Sequence, residues 1–339
     1  MTLADIATIP DLLRLVAVPV FAWVAIRDIK TRRVASGVWI PLALLGAVLL
    51  VWDGWVAWNG PAHVWTEFLV SAAVSLGFVV PIAYLFWWFG GFGGADAKAL
   101  MVLALFFPAI PQYALGSWTF PVTSTPIGAL SFTILTNAVI VGIAIPIVLA
   151  IRNAAAGRIA PVMFIGWPIS WGRVPETHGS LLETPSGRSH TGLDLDALRM
   201  YLRWRGCSLA DLRDDPERYR DPSTLPDEPN PPTDGAVTAD VRRDGGTADL
   251  DSDANPDDAE LERPNSSAEF DDPWGTDRFL SDIEGTAYGT TPDELRDGLE
   301  VLTTEETVWI SPGTPFLVPV FVGMIVALVY GDLLVGTLL

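Results

Sequence analysis

Two aspartates, Asp28 and Asp96, occupy positions where an acidic side chain is most readily explained by chemistry. Asp28 follows a long apolar run and lies in the charged segment at residues 27–33, while Asp96 follows another apolar run and the glycine-rich residues 90–94. An ionisable residue at a membrane border costs free energy unless it is paired, hydrated or used. Glycines allow backbone conformations that other residues avoid and let another chain come close. We therefore interpret the two aspartates as a candidate catalytic pair.

Two carboxylates at short range can hydrolyse a peptide bond. Repulsion between like charges keeps one acid protonated while its partner stays ionised. The protonated acid polarises the scissile carbonyl group, and the ionised one acts as a general base on water. The chemistry predicted for Asp28 and Asp96 is that of an aspartic protease.

The other reactive residue types support no second active site. The three histidines, His63, His178 and His190, do not form the His-Glu-x-x-His signature of zinc proteases. A single cysteine, Cys207, excludes internal disulfides and a cysteine-based zinc site. The glycines before Asp96 lack the spacing of a phosphate or dinucleotide loop. We predict no metal and no cofactor.

The charge of the chain is strongly segregated. Half of the 339 residues are hydrophobic, yet the net charge is −19, and 33 of the 40 acidic residues lie in residues 151–310. Lysine occurs only as Lys30 and Lys98, which, with so many acids, suggests a halophilic source in which carboxylates hold hydration at high salt. The plainer alternative is an acidic disordered tract. No basic patch large enough for nucleic acid is present.

Six apolar stretches approach the length of about 20 residues that a bilayer span requires. The first contains Arg14 and is the shortest. The predicted spans are residues 12–26, 37–52, 68–89, 99–116, 127–151 and 315–330. Basic loops remain in the cytoplasm, and Lys30, Lys98 and Arg152 all follow or precede spans on the same side. This places Asp28, Asp96 and the acidic region at the cytoplasmic face of a multi-pass cell-membrane protein.

The predicted fold is an all-α membrane protein with about six transmembrane helices and an acidic, partly disordered cytoplasmic insert between helices five and six. We divide it into a membrane core at residues 1–151, the insert at residues 152–310 and a C-terminal transmembrane helix at residues 311–339. Few apolar residues occur in residues 221–265, which predicts disorder there. Helices are predicted over residues 194–205, from their apolar spacing, and from a capping box at Thr291 through Leu302.

At the two aspartate motifs the chain resembles the archaeal prepilin and preflagellin peptidases, a branch of the GxGD aspartic proteases (family A24). The first motif of that family, Asp-x-Lys-x-Arg, is matched by Asp28, Lys30 and Arg32, and the second by Asp96 and Lys98 after the glycine-rich turn. The resemblance covers residues 11–151, and residues 309–313 with the last span look like the C-terminal part of the archaeal branch.

The resemblance implies cleavage of short basic leader peptides from class III signal sequences of pilin or archaellin precursors at the cytoplasmic side of the membrane. It makes Asp28 and Asp96 catalytic, and it assigns Gly93, Gly94, Ala95, Lys98 and Lys30 to the active-site loops. The lipid bilayer and the precursors are the implied partners.

The chain departs from the family pattern at two places. Ala95 stands where strict GxGD has glycine, and Ala35-Ser36 stands where Pro-Asn is common. Neither change removes a carboxylate. One cysteine cannot build the zinc loop of the bacterial relatives that also methylate their product, so peptidase activity alone is expected.

Two other functions fit a polytopic chain with an acidic insert. A transporter would use intramembrane carboxylates, but none lies at the centre of a predicted span, where ion pathways usually place them. A non-catalytic scaffold would carry the insert and tolerate the loss of both aspartates.

Overall fold

The computed structural model describes residues 6–123, 128–190, 192–231, 233–235, 237, 272–283, 287–313 and 315–334. The chain divides into two compact units. The first, here called the membrane unit, comprises residues 1–146 and 314–339, and the second, the insert unit, comprises residues 147–313.

The membrane unit is mainly helical. Four helical stretches among the described residues are long and apolar enough to cross a membrane, and a shorter apolar helix lies near the C-terminus. The helices are α1 (Ile9–Arg14), α2 (Ala17–Thr31), α3 (Trp39–Trp58), α4 (Ala62–Val74), α5 (Val80–Trp88), α6 (Gly94–Phe106), α7 (Leu130–Ala155) and, after the insert unit, α13 (Leu317–Val329).

Two of the spans combine two helices each. The first joins α1 and α2 through a turn at Leu15 and Val16, and the third joins α4 and α5 through one turn of π-helix, Ser75–Val79. Pro81 lies in the first turn of α5, where the missing N–H of proline costs least. The fold is thus an all-α membrane protein, as the sequence predicts, with small strands added at the edges.

The fourth span differs from its prediction. Helix α6 ends at Phe106 rather than Gly116, because Pro108 and Pro111 cannot continue a helix. The residues after them form an antiparallel hairpin of β1 (Tyr113–Leu115) and β2 (Trp118–Phe120). Residues 99–116 therefore contain a helix and a strand instead of one long span.

Small residues bring the helices of the membrane unit together. A Cβ at Gly46 in α3 would lie 2.8 Å from the ring of Phe106 in α6. A Cβ at Gly323 in α13 would lie 2.7 Å from the backbone nitrogen of Ala138 in α7. Close approach of this kind is how helices pack where lipid supplies no hydrophobic force between them.

The insert unit has its own apolar core and a mixed structure. Its three-stranded sheet has the order β3 (Trp167–Ser170), β7 (Thr307–Ser311) and β4 (Ser180–Leu181), all antiparallel, beside a hairpin of β5 (Glu183–Thr184) and β6 (Gly187–Arg188). The helices are α8 (Leu195–Arg205), α9 (Leu209–Asp214), α10 (Pro216–Arg220), α11 (Thr276–Asp282) and α12 (Pro292–Thr304).

Both helices predicted in this region are confirmed. Asp194 caps α8, and Thr291 with Glu294 forms the capping box that opens α12. Most of α8 is buried, including two arginines. Arg199 donates to the carbonyl groups of Gly235, Pro175 and Thr177, and Arg205 donates to those of Trp274 and Tyr219.

The stretch predicted as disordered, residues 221–265, is only partly among the described residues. Its first part is attached to α8, because the backbone N–H of Asn230 donates to Trp204 and its side chain donates to Arg203. Gly235 accepts from Arg199, as above. Residues 238–265 lie outside the described residues.

Candidate active site

Asp28 lies in the last turn of α2 and is buried, with 8% of its surface exposed. The backbone N–H of Leu317, the first residue of α13, lies close to its carboxyl group. Its Oδ2 is buried and has no hydrogen-bond partner in the part of the chain that the structure describes. A buried polar atom in this state calls for an explanation, and a reacting group is one.

The residue that follows the last turn of α2 has an unusual backbone conformation. Arg32 adopts the left-handed conformation, with φ of 54°, and its N–H donates to the carbonyl of Asp28 at 3.0 Å. Glycine usually occupies such a position because it has no Cβ to clash. An arginine there directs a cationic side chain back toward the end of α2 at a cost in backbone strain.

Asp96 lies in the first turn of α6 and is half-buried. Its Oδ2 accepts from the N–H of Gly93 at 3.0 Å, which satisfies one of the unbonded donors at the start of the helix. The preceding loop turns at Gly90, whose φ of 76° favours glycine, and the N–H of Gly91 donates to Phe86 at 2.7 Å. The glycines predicted to precede the second aspartate thus form a tight turn between α5 and α6.

The two aspartates share one electrostatic neighbourhood. The charge of Asp28 acts on Asp96, and the guanidinium of Arg32 acts on both carboxyl groups. The structure therefore brings together the last turn of α2 and the first turn of α6, with the start of α13 beside them.

The other residues singled out in the sequence lie around this pair. Lys98 donates to the hydroxyl of Ser36 at 2.8 Å, which ties α6 to the loop after α2. Lys30 is exposed, and Ala95 packs against the core of the membrane unit. Gly93 and Gly94 form the start of α6, as described above.

Three contributors were not singled out as site residues from the sequence. Arg32 was matched only as part of a motif, and neither Leu317 nor Phe316 was considered. The ring of Phe316 lies 4.6 Å from that of Phe92 in the glycine-rich loop. A signal existed for the C-terminal helix as a whole, since residues 309–313 and the last span resemble the archaeal branch, but nothing in it specified these contacts.

The arrangement suits acid–base chemistry. It presents two carboxyl groups, one fixed cation and a buried oxygen. Among the described residues, no group of three or more His, Cys, Asp or Glu side chains forms a metal-ligand cluster.

The fold and the site define a multi-pass membrane protein with a pair of neighbouring carboxyl groups. Two family profiles match the chain: type IV leader peptidase family at residues 15–151, and archaeal peptidase A24 C-terminus type II at residues 266–333. No curated protein matches it. The two profiles together span more than half of the sequence, and the chain belongs to the type IV leader peptidase family as an archaeal prepilin peptidase-like membrane protein. Its function is that of a protease of the leader peptidase type.

Proposed function

We propose that the chain is an aspartic endopeptidase in which Asp28 and Asp96 form the catalytic pair. The observation that carries this proposal is that the last turn of α2 and the first turn of α6 bring the two carboxyl groups together. Each lies close to a backbone N–H, and both are near Arg32. Both residues also fall inside the stretch that matches the leader peptidase family.

The pair works by sharing one proton, and its titration belongs to both residues together. The protonated carboxyl group donates a hydrogen bond to the scissile carbonyl, and the ionised one takes a proton from water. The water oxygen then bonds to the carbonyl carbon. The C–N bond breaks as the leaving nitrogen takes a proton from the pair, which restores the starting state.

The proposed substrates are pilin and archaellin precursors, cut between a short basic leader and the apolar helix that follows it. Apolar side chains beside Asp28 support this choice, since Trp23, Ile26 and Ile29 of α2 are about half exposed. Such a face fits an apolar substrate helix within the bilayer. Arginines and Lys30 around the end of α2 favour a cytoplasmic position for the cut by the positive-inside rule.

The test is a cleavage assay in high-salt membranes with a pilin or archaellin precursor. Wild type is compared with Asp28→Asn and Asp96→Asn, and with Glu67→Gln as a control for the loss of an exposed acid in the same unit. We expect wild type and Glu67→Gln to shorten the precursor and both Asn variants to leave it intact at equal membrane abundance. Cleavage by either Asn variant at the wild-type rate contradicts the proposal.

A further inference from the structure

We propose that Phe92 and Phe316 are positioning residues that hold the two carboxyl groups in register. Phe316 immediately precedes Leu317, whose N–H lies close to the carboxyl group of Asp28, and Phe92 lies in the loop that leads to Asp96. Their ring contact thereby joins the supports of the two aspartates. This inference rests on the proposed function, because it concerns the same catalytic pair.

The contact is part of a short row of aromatic rings. The Phe92 ring lies 4.6 Å from that of Phe316, at an angle of 33°, and 4.9 Å from that of Phe86, at 27°. Phe86 belongs to α5, and its carbonyl also accepts from the N–H of Phe92 at 3.1 Å. The loop is therefore fixed to α5 on one side and to α13 on the other.

The glycine-rich loop needs such support more than an ordinary turn does. Glycines leave the backbone free to take many conformations, and four of the five residues from 90 to 94 are glycine. Phe92 is the only one of these five with a side chain that can pack. Without its ring contact, the loop and the start of α6 lose a side-chain link to the helix beside Asp28.

Helix α13, which follows Phe316, packs against two other helices. It packs along α2, the helix that carries Asp28, and Gly323 brings it against the backbone of α7. A catalytic group displaced by about 1 Å can lose on the order of 100-fold in rate even when binding is intact. Loosening the link is therefore expected to lower kcat more than it changes KM.

The experiment measures kcat and KM for precursor cleavage by the full-length enzyme. The variants are Phe92→Ala, Phe316→Ala and the double variant, with Phe316→Tyr to retain the ring. The matched control is another aromatic pair of the same unit, Phe78 and Phe132, whose rings lie 5.6 Å apart. Asp28→Asn and Asp96→Asn are assayed in parallel.

We expect each Phe→Ala variant to lower kcat about 10- to 100-fold with KM changed less than about threefold. The double variant should be no slower than the worse single one, because both changes break the same contact. Phe316→Tyr should restore most of the rate, and Phe78→Ala and Phe132→Ala should leave kcat within about twofold of wild type.

The inference is overturned, and the proposed function is spared, if both Asn variants are inactive while Phe92→Ala and Phe316→Ala keep the wild-type kcat. The same conclusion follows if the losses are additive in the double variant. An equal loss of kcat in the Phe78 and Phe132 controls also overturns it, since the effect would then reflect general loosening of the fold. If the Asn variants cleave, the proposed function itself fails.

Discussion

The membrane unit contains two clusters of the same composition, two aspartates and one arginine, with opposite arrangements. In the first, Arg14 is 4% exposed, donates to Asp11 at 2.6 Å, bonds Asp53 and donates to the carbonyl of Phe106 at 2.7 Å. In the second, the charge of Asp28 acts on Asp96, and Oδ2 of Asp28 has no hydrogen-bond partner among the described residues.

The difference shows how one set of residues serves structure in one place and suits chemistry in another. Arg14 lies between its two carboxylates, and its contacts join α1 to α3 and to the end of α6. Removing one member of a buried ion cluster leaves an uncompensated charge, which makes such clusters costly to break. Asp96 instead has another acid, Asp28, among its ionic neighbours, so one of the two can hold a proton for use.

The largest expected difference between the two clusters is the effect of replacing one of their aspartates. Asp28→Asn or Asp96→Asn is expected to lower cleavage about 1000-fold, because acid–base catalysis contributes that much. Neither variant should be less resistant to heat than wild type, because each substitution removes repulsion between like charges. Heat resistance is measured as the temperature at which heated protein no longer elutes in the monodisperse peak of size-exclusion chromatography. Asp53→Asn should give the reverse pattern, with lower heat resistance and substantial remaining activity. Parallel losses in all three variants would remove the distinction between the clusters.

Arg14 tests the structural cluster alone. Arg14→Met leaves Asp11 and Asp53 without their cation and is expected to destabilise the unit by about 3–5 kcal/mol. Urea or SDS titration of the purified full-length protein measures this change. The double variant Arg14→Met with Asp53→Asn should recover part of the loss, because it also removes one of the two uncompensated acids. No recovery would argue against an ion-pair role.

Arg32 tests the second cluster. Arg32→Gly removes the cation and relieves the left-handed backbone strain, whereas Arg32→Ala removes the cation and keeps the strain, which is worth about 1 kcal/mol. Both variants should cleave about 10-fold more slowly, with Arg32→Gly the more heat-resistant. Equal activity of wild type and both variants would show that the charge of Arg32 does not serve the catalytic pair.

Asp194, in the insert unit, extends the comparison to a partly buried carboxyl group that accepts hydrogen bonds from backbone N–H groups. Burial raises its pKa to about 6, although the N–H groups of Asp196 and Ala197 donate to it. The folded pKa is thus above the ordinary value near 3.9. Its stabilising contribution is complete below that ordinary value and is lost as pH rises through about 6.

Asp194→Asn retains the helix cap and removes this titration. Between pH 5 and pH 8, the unfolding temperature of the insert unit should fall about 3 °C less in the variant than in wild type. Cys207 reports the unfolding in the full-length protein, because burial raises the pKa of its thiol to about 12 and only the unfolded thiol reacts readily with a maleimide dye. Identical pH dependence in both proteins would show that Asp194 does not control it.

The sequence alone determined the elements whose signals are local. Apolar runs of sufficient length predicted most of the spans, and the capping box at Thr291 predicted the start of α12. The two aspartates and the glycine-rich turn were also found, because their cost at a membrane border is visible without any knowledge of packing. The end of α6 was misjudged because apolar residues continue past Pro108 into a hairpin.

Only the tertiary structure decided which distant groups meet. More than 200 residues separate Asp28 from Leu317 and Phe92 from Phe316, and no pattern in either segment specifies the other. The pairing of Arg14 with Asp53 likewise depends on how α1 packs against α3. Periodicity and capping act over a few residues, whereas these contacts follow from helix packing, in which small residues such as Gly46 and Gly323 set how closely the helices approach.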